Sequence, residues 1–146
     1  MKYSDIKQIR NFCNDLFSTP DWREVVGNIE NEETDFEVDG VRFINSEDID
    51  RIQQDELSDD DYILGCFNAS FLSGILEIDQ DVIEAMQKAE AYEAIGKLIK
   101  SLGKLEELQE TYARYDGYGH HFNRYDSGEE EIKVDGQTFY VFDNRS

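Results

Sequence analysis

Phe36-Glu37-Val38-Asp39-Gly40-Val41-Arg42-Phe43-Ile44 alternates apolar and polar residues on either side of Asp39-Gly40. Asp-Gly tolerates the positive φ angles of a two-residue type I′ turn, whose twist suits two flanking strands, so the stretch predicts a β-hairpin. The pattern returns 96 residues later in Ile132-Lys133-Val134-Asp135-Gly136-Gln137-Thr138-Phe139-Tyr140-Val141, again behind an acidic cluster. Convergent hairpin chemistry accounts for this repeat, which is too short to mark a duplicated domain. A lone hairpin is marginal in water, so the two are expected to share one sheet covered by helices on one face. The fold class is therefore α+β, with several helices packed on a small antiparallel sheet built from two Asp-Gly β-hairpins. A length of 146 residues suits one acidic domain spanning 1–146.

Around the hairpins the apolar spacing is helical. Ser4 can cap a helix whose Ile6, Ile9, Phe12, Cys13, Leu16 and Phe17 form one stripe. Thr19-Pro20-Asp21 places a cap, a proline and an acid ahead of Trp22, Val25, Val26 and Ile29, a second short helix. Ser46 starts an acidic helix with a thin apolar edge of Ile49, Ile52 and Leu57. Ser58 and Asp61 resemble a capping box for one continuous, centrally buried helix from Tyr62 to Leu76. Asp79 caps the next, whose apolar face runs from Val82 to Leu102 until Gly103 stops it, and a last helix covers about Lys104 to Arg114. Residues 115–128 read as an ordered loop.

Composition narrows the function classes. Thirty-four acids against 14 bases give a formal charge of −20, which repels phosphate backbones and anionic headgroups, so direct contact with nucleic acid or a membrane surface is not expected. Aromatics at 12% and a single proline argue for a folded chain rather than an acidic disordered one. The N-terminal Met1-Lys2-Tyr3-Ser4-Asp5 lacks the features of a secretory signal, and no stretch approaches about 18 apolar residues. Cys13 and Cys66 sit among apolar neighbours outside any CxxC or Cys/His pair, so they read as buried free thiols of a reducing compartment. The expected location is the cytoplasm. Without GxGxxG, GxxxxGK[ST] or GxSxG, nucleotide and acyl-transfer chemistry has no anchor; no cofactor or metal is expected, and an enzymatic role is the lesser expectation.

The charge itself is uneven. Residues 30–61 hold 14 acids and two bases, which is 12 of the 20 net negative charges. The expected partner-binding display comprises Glu32, Glu33, Asp35, Glu37, Glu47, Asp48, Asp50, Asp55, Glu56, Asp59, Asp60 and Asp61. These lie on a hairpin and an acidic helix, and holding like charges in place destabilises a fold. A basic protein groove that normally tracks a nucleic-acid backbone would compensate. The plainer reading is a solvated surface that keeps the chain dissolved or suits high salt.

In size and charge over its whole length the chain resembles the DNA-mimic inhibitors of bacteriophages and mobile elements, the antirestriction and anti-CRISPR proteins. That resemblance implies a cytoplasmic inhibitor of a nucleic-acid-binding defence nuclease. It is carried by no motif, so no residue role passes across. A different reading places a small enzyme, or a ligand- or metal-binding module, on the loop Tyr115 to Asp126. There His120 or His121 would act as base or ligand beside Asp116, Tyr118, Arg124, Tyr125 and Asp126. Exposed aromatics and hairpin edges would also offer surface for a homo-oligomer.

Overall fold

The computed structural model describes residues 1–17, 20–123 and 126–145, with the side chains of Leu16 and Phe17 set aside. The architecture is α+β. The chain divides into two compact units, residues 1–49 with 116–146, and residues 50–115.

The first unit holds the sheet. Strands β1 (Asp35–Val38) and β2 (Val41–Asn45) pair antiparallel, as do β3 (Glu130–Val134) and β4 (Gln137–Asp143). The hairpins join through β2 and β4, giving the order β1-β2-β4-β3. Val38 faces Val41 and Val134 faces Gln137, so each turn has two residues; φ is 51° and 82° at Asp39 and Gly40, and 52° and 74° at Asp135 and Gly136. Positive φ at both central positions is the type I′ geometry read from the dipeptide.

Alternation along the strands sorts the two faces. Phe36, Val38, Val41, Phe43, Ile132, Val134, Phe139 and Val141 form one buried face with Ile9 and Cys13 from the N-terminal helix and Val25 and Ile29 from the second. Each such side chain contributes roughly 1.5–3 kcal/mol when buried. The first helix, α1 (Tyr3–Phe12), begins one residue before Ser4, with Lys2 at its cap and no capping side chain; it widens into a π-helical segment, Cys13–Phe17. Asp21 caps α2 (Trp22–Glu30), accepting from the Arg23 amide at 3.0 Å, and Pro20 precedes the helix. Thr19 lies outside the described residues. On the opposite face Phe142 packs on Phe122, ring centroids 5.2 Å apart, and Tyr140 on Tyr118 at 5.1 Å.

The second unit is helical. Helix α3 (Ile49–Ser58) begins three residues after Ser46, and Ile52 and Leu57 are buried along its apolar edge. The continuous helix expected from Tyr62 to Leu76 is two helices, α4 (Asp61–Gly65) and α5 (Ala69–Leu76). The break has a local cause: Asn68 turns its side chain onto the Ser70 amide at 2.9 Å and caps a new helix, a bond that competes with helix continuation. Burial falls on Leu64, Leu72, Ile75 and Leu76, whereas Tyr62 and Ile63 are exposed. Asp60, rather than Ser58, caps α4 through the Ile63 amide.

The long helix expected after Asp79 is likewise divided into α6 (Gln80–Lys88) and α7 (Tyr92–Ser101). Asp79 does cap α6, accepting from the Asp81 amide. Glu90, at φ 59°, turns the chain between the two, and Gly103, at φ 67°, ends α7. Helix α8 (Leu105–Asp116) follows, and the expected loop contains a short α9 (Gly119–Phe122). Leu57, Leu64, Leu72, Ile83, Ile95, Ile99, Leu108 and Tyr112 anchor this unit's core.

The approach of α4 to α7 rests on two glycines. A Cβ on Gly65 would collide with the backbone carbonyl of Tyr92, and one on Gly96 with that of Asp61. Helix pairs normally stand about 8–10 Å apart because side chains separate them. Here bare backbone meets bare backbone, and the rings of Tyr62 and Tyr92 meet edge to face at 5.2 Å.

Among the described residues no helix is long and apolar enough to cross a membrane. Both cysteines are free. Cys13 is buried, and burial, with the Asp21 charge adding to it, pushes its thiol up to about 11; Cys66, against expectation, is exposed.

Candidate interaction surface

The expected acidic display is distributed over both units, and its members do different work. In the first unit β1 turns Asp35 and Glu37 to the face opposite Phe36 and Val38. Arg42, which faces Glu37 across the hairpin, reaches Asp35 with both ends of its guanidinium, Nε to Oδ1 at 2.8 Å and Nη2 to Oδ2 at 2.7 Å. It also lies over the Phe122 ring, 5.0 Å from the centroid. Asp35 is thus largely neutralised by a bidentate partner. Glu32 and Glu33, in the turn before β1, are exposed, as are Glu37 and, after β2, Glu47, while Asp48 is half-buried. Asp39 accepts from the Asp21 amide at 2.9 Å. Beside β1 lies a cavity of about 490 Å³ bordered by Asp35, Phe36, Glu37, Gly40, Arg42 and Asn144.

In the second unit some acids are structural. Asp50 accepts from Gln109 Nε2 at 2.9 Å, Asp60 caps α4, and Asp61 lies 2.6 Å from Lys100 Nζ. Asp55 is exposed, with Arg51 one turn earlier at 3.4 Å, a pair of little energetic weight at full exposure. Glu56 is half-buried and Asp59 exposed.

The placement of Asp55, Glu56 and Asp59 is electrostatically adverse. They cluster at the C-terminal end of α3, where unsatisfied carbonyls already carry partial negative charge and no basic residue stands in the last turn. An acid there costs about 0.3–1 kcal/mol, the reverse of its effect at an N-terminus. Asp60 and Asp61 stand at the favourable end of α4. Helix stability therefore accounts for the second pair and not for the first group.

The candidate ligand loop assembles differently from the arrangement read in sequence. His120 and His121 occupy successive positions of α9, so their side chains diverge by about 100° around the axis. His120 is exposed, whereas His121 stands edge-on to Phe122 at 4.6 Å. Tyr118 packs on Tyr140 and its amide donates to Glu129; Asp116 ends α8 and is exposed, as is Asp126. Arg124 and Tyr125 lie outside the described residues. Asn123 ties the segment together by donating to the Gly128 carbonyl at 2.7 Å and accepting from the Asp126 amide at 3.1 Å. Among the described residues no three His, Cys, Asp or Glu side chains are grouped to hold a metal ion.

One arrangement escaped the sequence reading altogether. Gln109, fully buried, donates to both Asp50 and Gln53 and accepts from Gln54, making a polar knot between α3 and α8. Its signal was an amide inside the apolar stripe of Leu105, Leu108 and Tyr112. The chain matches no protein-family model, no curated protein and no solved structure.

Proposed function

We propose that this chain is an acidic interaction module that occupies the nucleic-acid-binding groove of a basic partner protein, in the manner of the DNA-mimic counter-defence inhibitors whose size and charge it shares. The cytoplasm of a bacterial host is its place of action. The supporting observation is that each unit by itself holds exposed carboxylates on ordered elements, Glu32, Glu33, Glu37 and Glu47 in the first and Asp55 and Asp59 in the second. These groups stand on strands, helix ends and tight turns. Like charges held this way oppose folding, and at the end of α3 they also oppose the helix dipole. Burial against a partner's lysines and arginines converts that cost into attraction, speeds encounter and rejects acidic competitors.

The structural duties of Asp50 and Asp60 make them poor probes, because changing either removes a bond to the buried Gln109 or a cap. The informative variant reverses Glu33, Glu47, Asp55 and Asp59 to lysine. Immobilised wild-type chain in bacterial lysate is expected to retain nucleic-acid-binding proteins that added DNA displaces. The reversed variant, with an unchanged circular-dichroism spectrum, is expected to bind them at least about tenfold more weakly, equivalent to about 1.4 kcal/mol. Equal recovery by the two would remove the proposal.

A further inference from the structure

Strand β1 is an edge of the sheet, and its backbone is poised on the open side. In a two-residue hairpin the residues flanking the turn exchange both backbone bonds, so Val38 and Phe36 direct their amides and carbonyls to β2 while Asp35 and Glu37 direct theirs outward. The bond from the Asn45 amide to the Thr34 carbonyl at 2.7 Å continues that alternation. Among the described residues no backbone group pairs with the outward positions Asp35 and Glu37.

Proteins commonly blunt such an edge with lysine or proline. The opposite edge, β3, follows that practice with Lys133 between Glu131 and Asp135. β1 carries neither. Acids occupy every second position from Glu33 through Asp35 and Glu37 to Asp39, with Phe36 and Val38 between them. Because Arg42 holds Asp35, the exposed carboxylate on the strand is that of Glu37, and the cavity beside it has room for a long side chain.

We infer that the free edge of β1 receives an extended segment of a basic partner as a fifth antiparallel strand. This rests on the reading that the chain's acids meet a basic protein, and it specifies the form of the contact. A segment alternating lysine or arginine with apolar residues fits: one basic residue stands beside the exposed carboxylate of Glu37, the next takes the register position opposite Asp35, and the apolar ones continue the face of Phe36 and Val38. A second copy of this chain is unsuited, because pairing β1 with β1 sets acid against acid.

The test uses the full chain and three fluorescent twelve-residue peptides of alternating lysine and valine, one unmodified, one N-methylated at two central lysines and one at two central valines. Their charge is identical. In an antiparallel fifth strand the lysine amides face Asp35 and Glu37 and the valine amides face solvent. Fluorescence anisotropy is expected to show about tenfold weaker binding for the lysine-methylated peptide than for the valine-methylated one, from two lost backbone bonds. Glu37→Lys is expected to weaken the unmodified peptide to a similar degree. Equal affinity of the two methylated peptides, or no binding of any of the three, would overturn the inference. Equal affinity alongside a loss of lysate capture in the four-site reversal would reject the edge contact alone and leave the acidic module standing. The peptide comparison is made on the wild-type protein, so it stands whether or not Glu37→Lys folds.

Discussion

Alanine at Gly96 is expected to destabilise the second unit by about 3 kcal/mol or more, read as a drop in the urea midpoint, and alanine at Gly65 by a similar amount. In a helix this exchange ordinarily stabilises by up to about 1 kcal/mol, because glycine loses more backbone entropy. Here the added methyl meets a main-chain carbonyl, of Asp61 in one case and Tyr92 in the other. A flexible side chain could rotate away, but a carbonyl in a packed helix can move only with its helix. Separating α4 from α7 would also disturb the Asp61–Lys100 contact at 2.6 Å and the Tyr62–Tyr92 ring contact. Gly74 supplies the internal control. It lies in α5 with nothing within 4 Å of its added Cβ, so alanine there is expected to stabilise slightly. Opposite signs at Gly96 and Gly74 would separate helix propensity from helix contact within one molecule.

Leucine at Gln109 is the second large effect, expected to cost about 2–4 kcal/mol by the same measurement. The residue is fully buried and makes three hydrogen bonds, to Asp50 at 2.9 Å, to Gln53 at 2.8 Å and from Gln54 at 2.8 Å. Leucine matches its size but leaves the buried carbonyl of Gln53 without its donor. Gln53 Nε2 already has no partner among the described residues. Replacing Gln53 and Gln109 together by leucine is therefore expected to recover most of the loss, since removing both partners of a buried bond is far cheaper than removing one. Strict additivity of the two substitutions would show that the bond carries no such weight.

The elements legible in the sequence were those written in local chemistry. Asp39-Gly40 and Asp135-Gly136 specify their turns through the φ angles they allow, and the alternation beside them sorts the sheet faces. Gly103 and Asp79 marked helix ends for equally local reasons. The breaks at Cys66–Asn68 and Ala89–Ala91 were hidden, because the apolar pattern runs through both. Asn68 reveals its role only through a side-chain bond to Ser70, and Glu90 adopts φ 59° in an alanine-containing stretch that favours helix. The approach of Gly65 and Gly96 to each other's helices joins elements 31 residues apart in sequence, which no spacing rule exposes.

For the acidic residues, exposure was legible and partnership was not. Arg42 could have been assigned to the Asp35–Glu37 side of its hairpin from the turn register alone. The ties of Asp50 to Gln109, of Asp60 to the Ile63 amide and of Asp61 to Lys100 depend on how the helices pack. With these members and the Arg42-held Asp35 set aside, the exposed acids of the expected set are Glu32, Glu33, Glu37 and Glu47 in the first unit and Asp55 and Asp59 in the second, while Asp48 and Glu56 are half-buried.

Association kinetics with a captured partner give the most direct check on the proposed role of these exposed acids. The screening length shrinks from about 30 Å at 0.01 M salt to about 8 Å at 0.15 M. If outward carboxylates steer the chain onto a basic groove, the association rate falls steeply over this range, the dissociation rate changes less, and DNA competes for the same site. An association rate indifferent to salt, with DNA and this chain bound side by side, would contradict the account.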